Sequence, residues 1–227
     1  MYNITFIGTH HLGNGKCNPD ELHKILESIK PEVIFQELSS NLFDTLYNNN
    51  APTQLLEVIC IKKYLQRHKI KICPVDVDVS LKLTAEMEKM HFIFYKYDNV
   101  YKKLYNEHTL LVEQEGFHYL NSKKYLDLLE EIEVRERQLI DLNSIYKDKL
   151  LPFYISSHKE NDNRENEWLK YIYNYSKINL YNQAVFLFGA DHRKSIMQKI
   201  PEFEGKAEIK INWTFYNSTL MNKKAYH

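Results

Sequence analysis

The sequence predicts an α/β fold: a mostly parallel sheet flanked by helices, in a single domain over 1–227 with a long helical-hairpin insertion at about 80–154. Three observations predict it. Short β-branched or aromatic runs alternate with stretches of helical spacing, the β-α-β-α-β pattern of a parallel sheet with right-handed crossovers. Four of those runs break into a polar, chemically capable residue. Between Ser80 and Tyr154 strand signals disappear and long helical periodicity takes over.

The first strand is read over Tyr2 to Ile7, ending in Gly8-Thr9-His10-His11. Asn18-Pro19-Asp20-Glu21 opens a helix, with Asn18 as cap and Pro19 at its first position. Lys30-Pro31 closes it, because a residue before proline disfavours the α region. A second strand, Glu32 to Gln36, runs into Glu37. Leu42 to Tyr47 reads as a short helix. Thr53 to Arg67 reads as another, with Leu55, Leu56, Ile59 and Leu65 inward. The third strand, Lys69 to Val75, runs into Asp76 and Asp78.

Leu81 to Val112 has one long helical period, with Met90, Phe94, Tyr97 and Tyr101 inward, and Gly116 breaks it. Lys123 to Lys149 forms the second arm of a hairpin, with Pro152 beyond its end. Ser156 to Asn163 is polar and aperiodic, which predicts a loop. Arg164 to Lys177 is again helical. Ala184 to Phe188 is wholly apolar, as in a central strand covered on both faces, and it ends in Gly189-Ala190-Asp191-His192. Asp191 is expected to cap a helix from about His192 to Lys199, which Pro201 stops. Glu208 to Tyr216 alternates as an edge strand.

Composition narrows the function. Lys+Arg and Asp+Glu both number 30, so no protein-wide field draws nucleic acid or an anionic membrane. Three cysteines without a CxxC pair, no apolar stretch of spanning length and no leader pattern predict a reduced, cytoplasmic protein. No P-loop, G-x-S-x-G or G-x-G-x-x-G element is present.

In an open parallel sheet the carboxyl ends of the strands share one edge, where ligands bind. His11, Glu37 and His192 are therefore expected to converge there. A buried carboxylate such as Glu37 needs a metal, a cation or a donor cluster. Two histidines and a glutamate make a metal set with an open position, Mn or Zn being candidates. The same trio without metal can serve acid–base hydrolysis. A helix start should favour neutral His192. Asp76 is a candidate to orient a histidine or to cap a helix. Gly8, His10, Gly189 and Asp191 support the edge. His91 and His158 have no assigned role.

The paired Gly-x-x-His motifs, Gly8 to His11 and Gly189 to His192, with Glu37 between them, resemble the TraB and Tiki family. That group is related to erythromycin-esterase-like and ChaN-like proteins. The Arg164-Glu165 pair is similar to the family's Arg-Asp or Arg-Asn element. The resemblance implies His11, Glu37 and His192 as the metal or acid/base group and Arg164 as a site residue. It implies a metal-dependent peptidase for Tiki-like members, metal-free hydrolysis for esterase-like members, and haem binding for ChaN-like ones. The expected function is metal-assisted cleavage of a peptide, amide or ester bond in a small-molecule or peptide substrate. Metal-free hydrolysis and a non-catalytic ligand-binding role are the alternatives. Nucleic-acid and membrane partners are not expected, and no oligomeric state is assigned.

Overall fold

The computed structural model describes residues 2–78, 81–142 and 144–216. Five parallel strands form one sheet in the order β3-β2-β4-β1-β5. They are β1 (Tyr2–Thr9), β2 (Val33–Ser39), β3 (Lys71–Asp76), β4 (Gln183–Gly189) and β5 (Ile211–Phe215). The apolar Ala184–Phe188 run is the central strand, as its composition requires. β5 lies at one edge and β3 at the other.

Nine helices surround the sheet among the described residues: α1 (Pro19–Ile29), α2 (Ser40–Phe43), α3 (Leu56–Leu65), α4 (Leu81–Tyr97), α5 (Asn99–Glu115), α6 (Phe117–Leu120), α7 (Lys123–Leu142), α8 (Ser144–Ile178) and α9 (Arg193–Lys206). A π turn, Asp44–Asn48, follows α2. The Asn18 side chain accepts from the amides of Asp20 and Glu21, and Lys30 ends α1 in the left-handed region.

Strand alternation divides the core. Ile7, Ile34, Val185 and Leu187 face α1, α3 and the helical insertion. Ile4, Phe6, Phe35, Phe186 and Phe188 face the second half of α8 and α9. The crossover after β1 thus runs over one face, and that after β4 over the other. The neighbouring strands β1 and β4 form a switch point, whose carboxyl edge is where such sheets bind ligands.

Several expected boundaries are corrected. The insertion is not a two-helix hairpin, because Asp98 breaks the first arm by capping Tyr101 N–H and starting α5. α4 and α7 each pack on both α5 and α8, which makes a four-helix ring. Residues 156–163 are helix rather than loop: α8 runs through them, and their polar side chains mostly coat its outer surface. Pro152 lies inside α8, between buried Leu150 and Tyr154, rather than beyond a helix end. Pro201 likewise lies within α9. Ile59 and Tyr97 point outward. Ser80, taken as the start of the insertion, lies outside the described residues. Among those residues no helix is long and apolar enough to cross a membrane.

Candidate active site

β2 does not end before Glu37. It continues to Ser39, and its register with β3 shifts between Gln36 and Ser39. Such an irregularity re-aims a side chain. Glu37 is turned into the carboxyl edge, where its side chain is only 6% exposed. Oε1 accepts from Arg164 Nη2 at 2.6 Å, and Oε2 accepts from the Gly189 amide at 2.5 Å.

Both motif histidines turn Nε2 toward this carboxylate. His11 Nε2 lies 4.0 Å from Glu37 Oε2, and His192 Nε2 lies 3.6 Å from Oε1. Each anchors its other nitrogen on a separate carboxylate. His11 Nδ1 meets Glu57 Oε1 at 3.0 Å, and His192 Nδ1 meets Glu165 Oε1 at 2.7 Å. Such second partners fix the orientation of an imidazole and raise its basicity. His11 stands half-exposed at the mouth, whereas His192 is buried against the Trp168 ring.

The charges follow from these contacts. Burial opposes the charge on His11, but the Glu57 hydrogen bond and the charges of Glu57, Glu37 and Asp191 overcome it and raise the pKa to about 9. Burial also disfavours the His192 imidazolium. The hydrogen bond to Glu165 and the charges of Glu37 and Glu165 outweigh burial, so this pKa too is raised. This direction opposes the one expected from its helix start, because two carboxylates act against the terminal dipole. Burial pushes the Glu57 and Glu165 carboxyls up, but their donors hold both below the ordinary value.

Arg164 is brought in from the middle of α8. Its guanidinium spans Glu37 and Asp76, with Nε 3.0 Å and Nη2 2.7 Å from the two Asp76 oxygens. Trp168 Nε1 also donates to Asp76 at 2.7 Å. Asp76 thus orients the arginine; among the described residues it meets no histidine and caps no helix. Asp191 does not cap α9 either, because a 3₁₀ turn, Ala190–His192, precedes that helix and Asp191 accepts from Tyr125 Oη.

The supporting residues divide. A Cβ on Gly189 would stand 3.2 Å from His11 Nε2 and 3.4 Å from Glu37 Oε2, so this strand end needs glycine for close approach. Gly8 exchanges two backbone hydrogen bonds with the Asn121 side chain, which pairs with β1 beyond the reach of β5. His10 turns away, with Nδ1 on Leu12 O.

Several site residues escaped sequence reading, Glu57 and Asn121 foremost. Glu57 is the single charge in the apolar run Leu55-Leu56-Glu57-Val58-Ile59-Cys60-Ile61, and that was its available signal. It also accepts from Thr9 Oγ1. Asn121 had no comparable signal. Ser195 and Lys199 complete the second anchor, both donating to Glu165 Oε2 at 2.5 Å.

The trio comes together, but as a hydrogen-bonded cluster. Among the described residues no group of three or more His, Cys, Asp or Glu side chains is arranged to hold a metal ion. Glu37 directs one oxygen to a guanidinium and the other to an amide. Comparison of the chain with protein-family models, curated proteins and solved structures gives no match.

Proposed function

We propose that this chain is a TraB/Tiki-like hydrolase of a peptide, amide or ester bond, with water activated among His11, Glu37 and His192. The observation that carries the reading is that two imidazoles, each anchored through Nδ1, aim Nε2 at one carboxylate. At 3.6 and 4.0 Å neither Nε2 forms a direct hydrogen bond with Glu37, so both nitrogens stay free to meet a water. With one imidazole neutral and the other protonated, the pair can take a proton from water and return one to the leaving group. Glu37, fixed by Arg164 and the Gly189 amide, orients the water. The arrangement fits metal-free acid–base chemistry best, since both Glu37 oxygens already accept from Arg164 and the Gly189 amide.

A metal-assisted version is the second reading. It is favoured by the Nδ1–carboxylate anchors, which are the usual outer partners of metal-bound histidine. Here His11, Glu37 and His192 would hold Mn²⁺ or Zn²⁺, and the ion would acidify its bound water.

One experiment tests both. Protein purified without a nickel column is assayed for metal content and for hydrolysis of peptide, amide and ester substrates, with and without strong chelator. Turnover that survives chelator but is lost in His11→Ala supports the first reading. Turnover lost to chelator, with metal content falling in His11→Ala and Glu37→Ala, supports the second. A panel with no turnover at all overturns both and leaves a ligand-binding protein.

A further inference from the structure

Beyond the trio, the cleft rises into the helical insertion with a volume of about 610 Å³. Its walls have a definite chemistry. Tyr101, Tyr105 and His108 come from α5, and Tyr125 from α7. Met90 and Ile132 supply apolar surface. Asp191 and Glu136 supply inner carboxylates, with Glu88 exposed at the rim, and among the described residues no lysine or arginine lines the cleft.

These two carboxylates differ from those around the trio. Glu37 and Asp76 share Arg164, Glu165 has His192 and Lys199, and Glu57 has His11. Asp191 and Glu136 instead accept from tyrosine hydroxyls, those of Tyr125 and Tyr101. Among the described residues neither forms a salt bridge with lysine or arginine. Burial lowers the pKa of His91 and His108, so neither ring neutralises these carboxylates. Burial also raises the Glu136 carboxyl to about 7, so it is an anion above that pH, and the charge beside Asp191 is that of His11 at the mouth. The rings form a connected wall, with Tyr105 4.3 Å from His91 and 5.8 Å from His108, and His108 5.8 Å from Tyr125. Aromatic faces beside carboxylates that have no lysine or arginine partner attract cations, and the aliphatic surface between them suits an alkyl or aryl substituent.

We propose that this cleft is a recognition subsite for a protonated amine borne on an apolar group, with Asp191 and Glu136 as countercharges and Tyr105 and Tyr125 as ring faces. The proposal rests on the hydrolytic reading of the trio and names its substrate class: an ester, amide or peptide with a free ammonium near the scissile bond. A free peptide amino terminus and an alkylamine share this chemistry. Turnover of a peptide against its N-acetylated form, beside that of an aminoalkyl ester, distinguishes the two sources.

The test is a binding measurement that needs no turnover. Wild-type protein is titrated by NMR at about pH 8, with chelator present, using hexylammonium, 1-hexanol and hexanoate as probes. Hexylammonium is expected to bind at least about tenfold more tightly than hexanol, and hexanoate to bind least. Asp191→Asn and Glu136→Gln keep acceptors for the tyrosines and are each expected to weaken hexylammonium about tenfold. His11→Ala removes a positive charge from the mouth and is expected not to weaken it. Unchanged thermal unfolding of either carboxamide variant establishes that its binding loss is local. Hexanol or hexanoate binding as tightly as the amine overturns the proposal, as does unchanged amine affinity in both folded carboxamide variants. Amine binding without turnover of any substrate overturns the hydrolytic reading alone. Turnover indifferent to the amine overturns the subsite alone.

Discussion

Arg164 and Glu37, 127 residues apart, meet at 2.6 Å under near-complete burial, and the same guanidinium grips Asp76. One cation thus serves two buried carboxylates. Arg164→Met leaves Asp76 with no cation and Glu37 with only the two imidazoles, and is expected to destabilise the fold by about 3–5 kcal/mol. Urea unfolding measures this. Arg164→Lys keeps the charge but loses the planar fork and is expected to fall between the two. A wild-type midpoint for Arg164→Met would refute the assigned role.

Glu57 sets the proton affinity of His11. Glu57→Gln keeps an acceptor but removes the charge, so the His11 pKa should fall from about 9 toward the ordinary 6.5. An NMR titration of the imidazole reads the shift directly. Because the folded pKa lies above the unfolded one, the stability from this pair is fully present below about pH 6.5. It is lost as pH rises through about 9. Glu57→Gln should flatten that part of the stability profile.

The pH dependence of turnover follows from the same shift. A neutral imidazole is needed to take the water proton, so the rate should rise from neutrality as His11 loses its proton near pH 9. In Glu57→Gln the rising limb should move to lower pH. A limb unmoved by this substitution would separate His11 from the proton step.

Gly189 gives the trio its close approach. In Gly189→Ala the new Cβ meets His11 Nε2 at 3.2 Å and His192 Cδ2 at 3.7 Å. The exposed His11 ring can swing away, so stability should change by less than about 1 kcal/mol while turnover falls steeply. Thermal unfolding and a rate measured on the same sample distinguish this from general unfolding.

Asn121 stands in for a missing strand beside Gly8. Asn121→Ala leaves a buried amide and a buried carbonyl without partners and should cost about 2–4 kcal/mol. Hydrogen exchange at the Gly8 amide should accelerate with it.

Strand periodicity alone was enough to place β1 to β4 and their polar ends. The apolar run Ala184–Phe188 was legible as central because only a strand covered on both faces tolerates no polar position. His11, Glu37 and His192 were legible for a related reason: each follows or ends a buried run, where a polar side chain needs a purpose. The polar stretch 156–163 misled because aperiodicity also describes the outer surface of a long helix whose packing lies elsewhere. Asp191 misled because a cap position and a tyrosine partner are equally open to a carboxylate after a strand.

The sequence by itself therefore determined the α/β class, the strands and the residues delivered to the carboxyl edge. Those depend on local periodicity and on the high cost of burying polar atoms. Only the tertiary structure decided the pairing. It set Arg164 on Asp76 rather than leaving Asp76 for a histidine, gave each imidazole its own glutamate, and laid α4, α5 and α7 over the cleft. Hydrogen bonds between residues 27 to 88 positions apart act over a few ångströms of space, and one-dimensional spacing carries no record of which partners will share them.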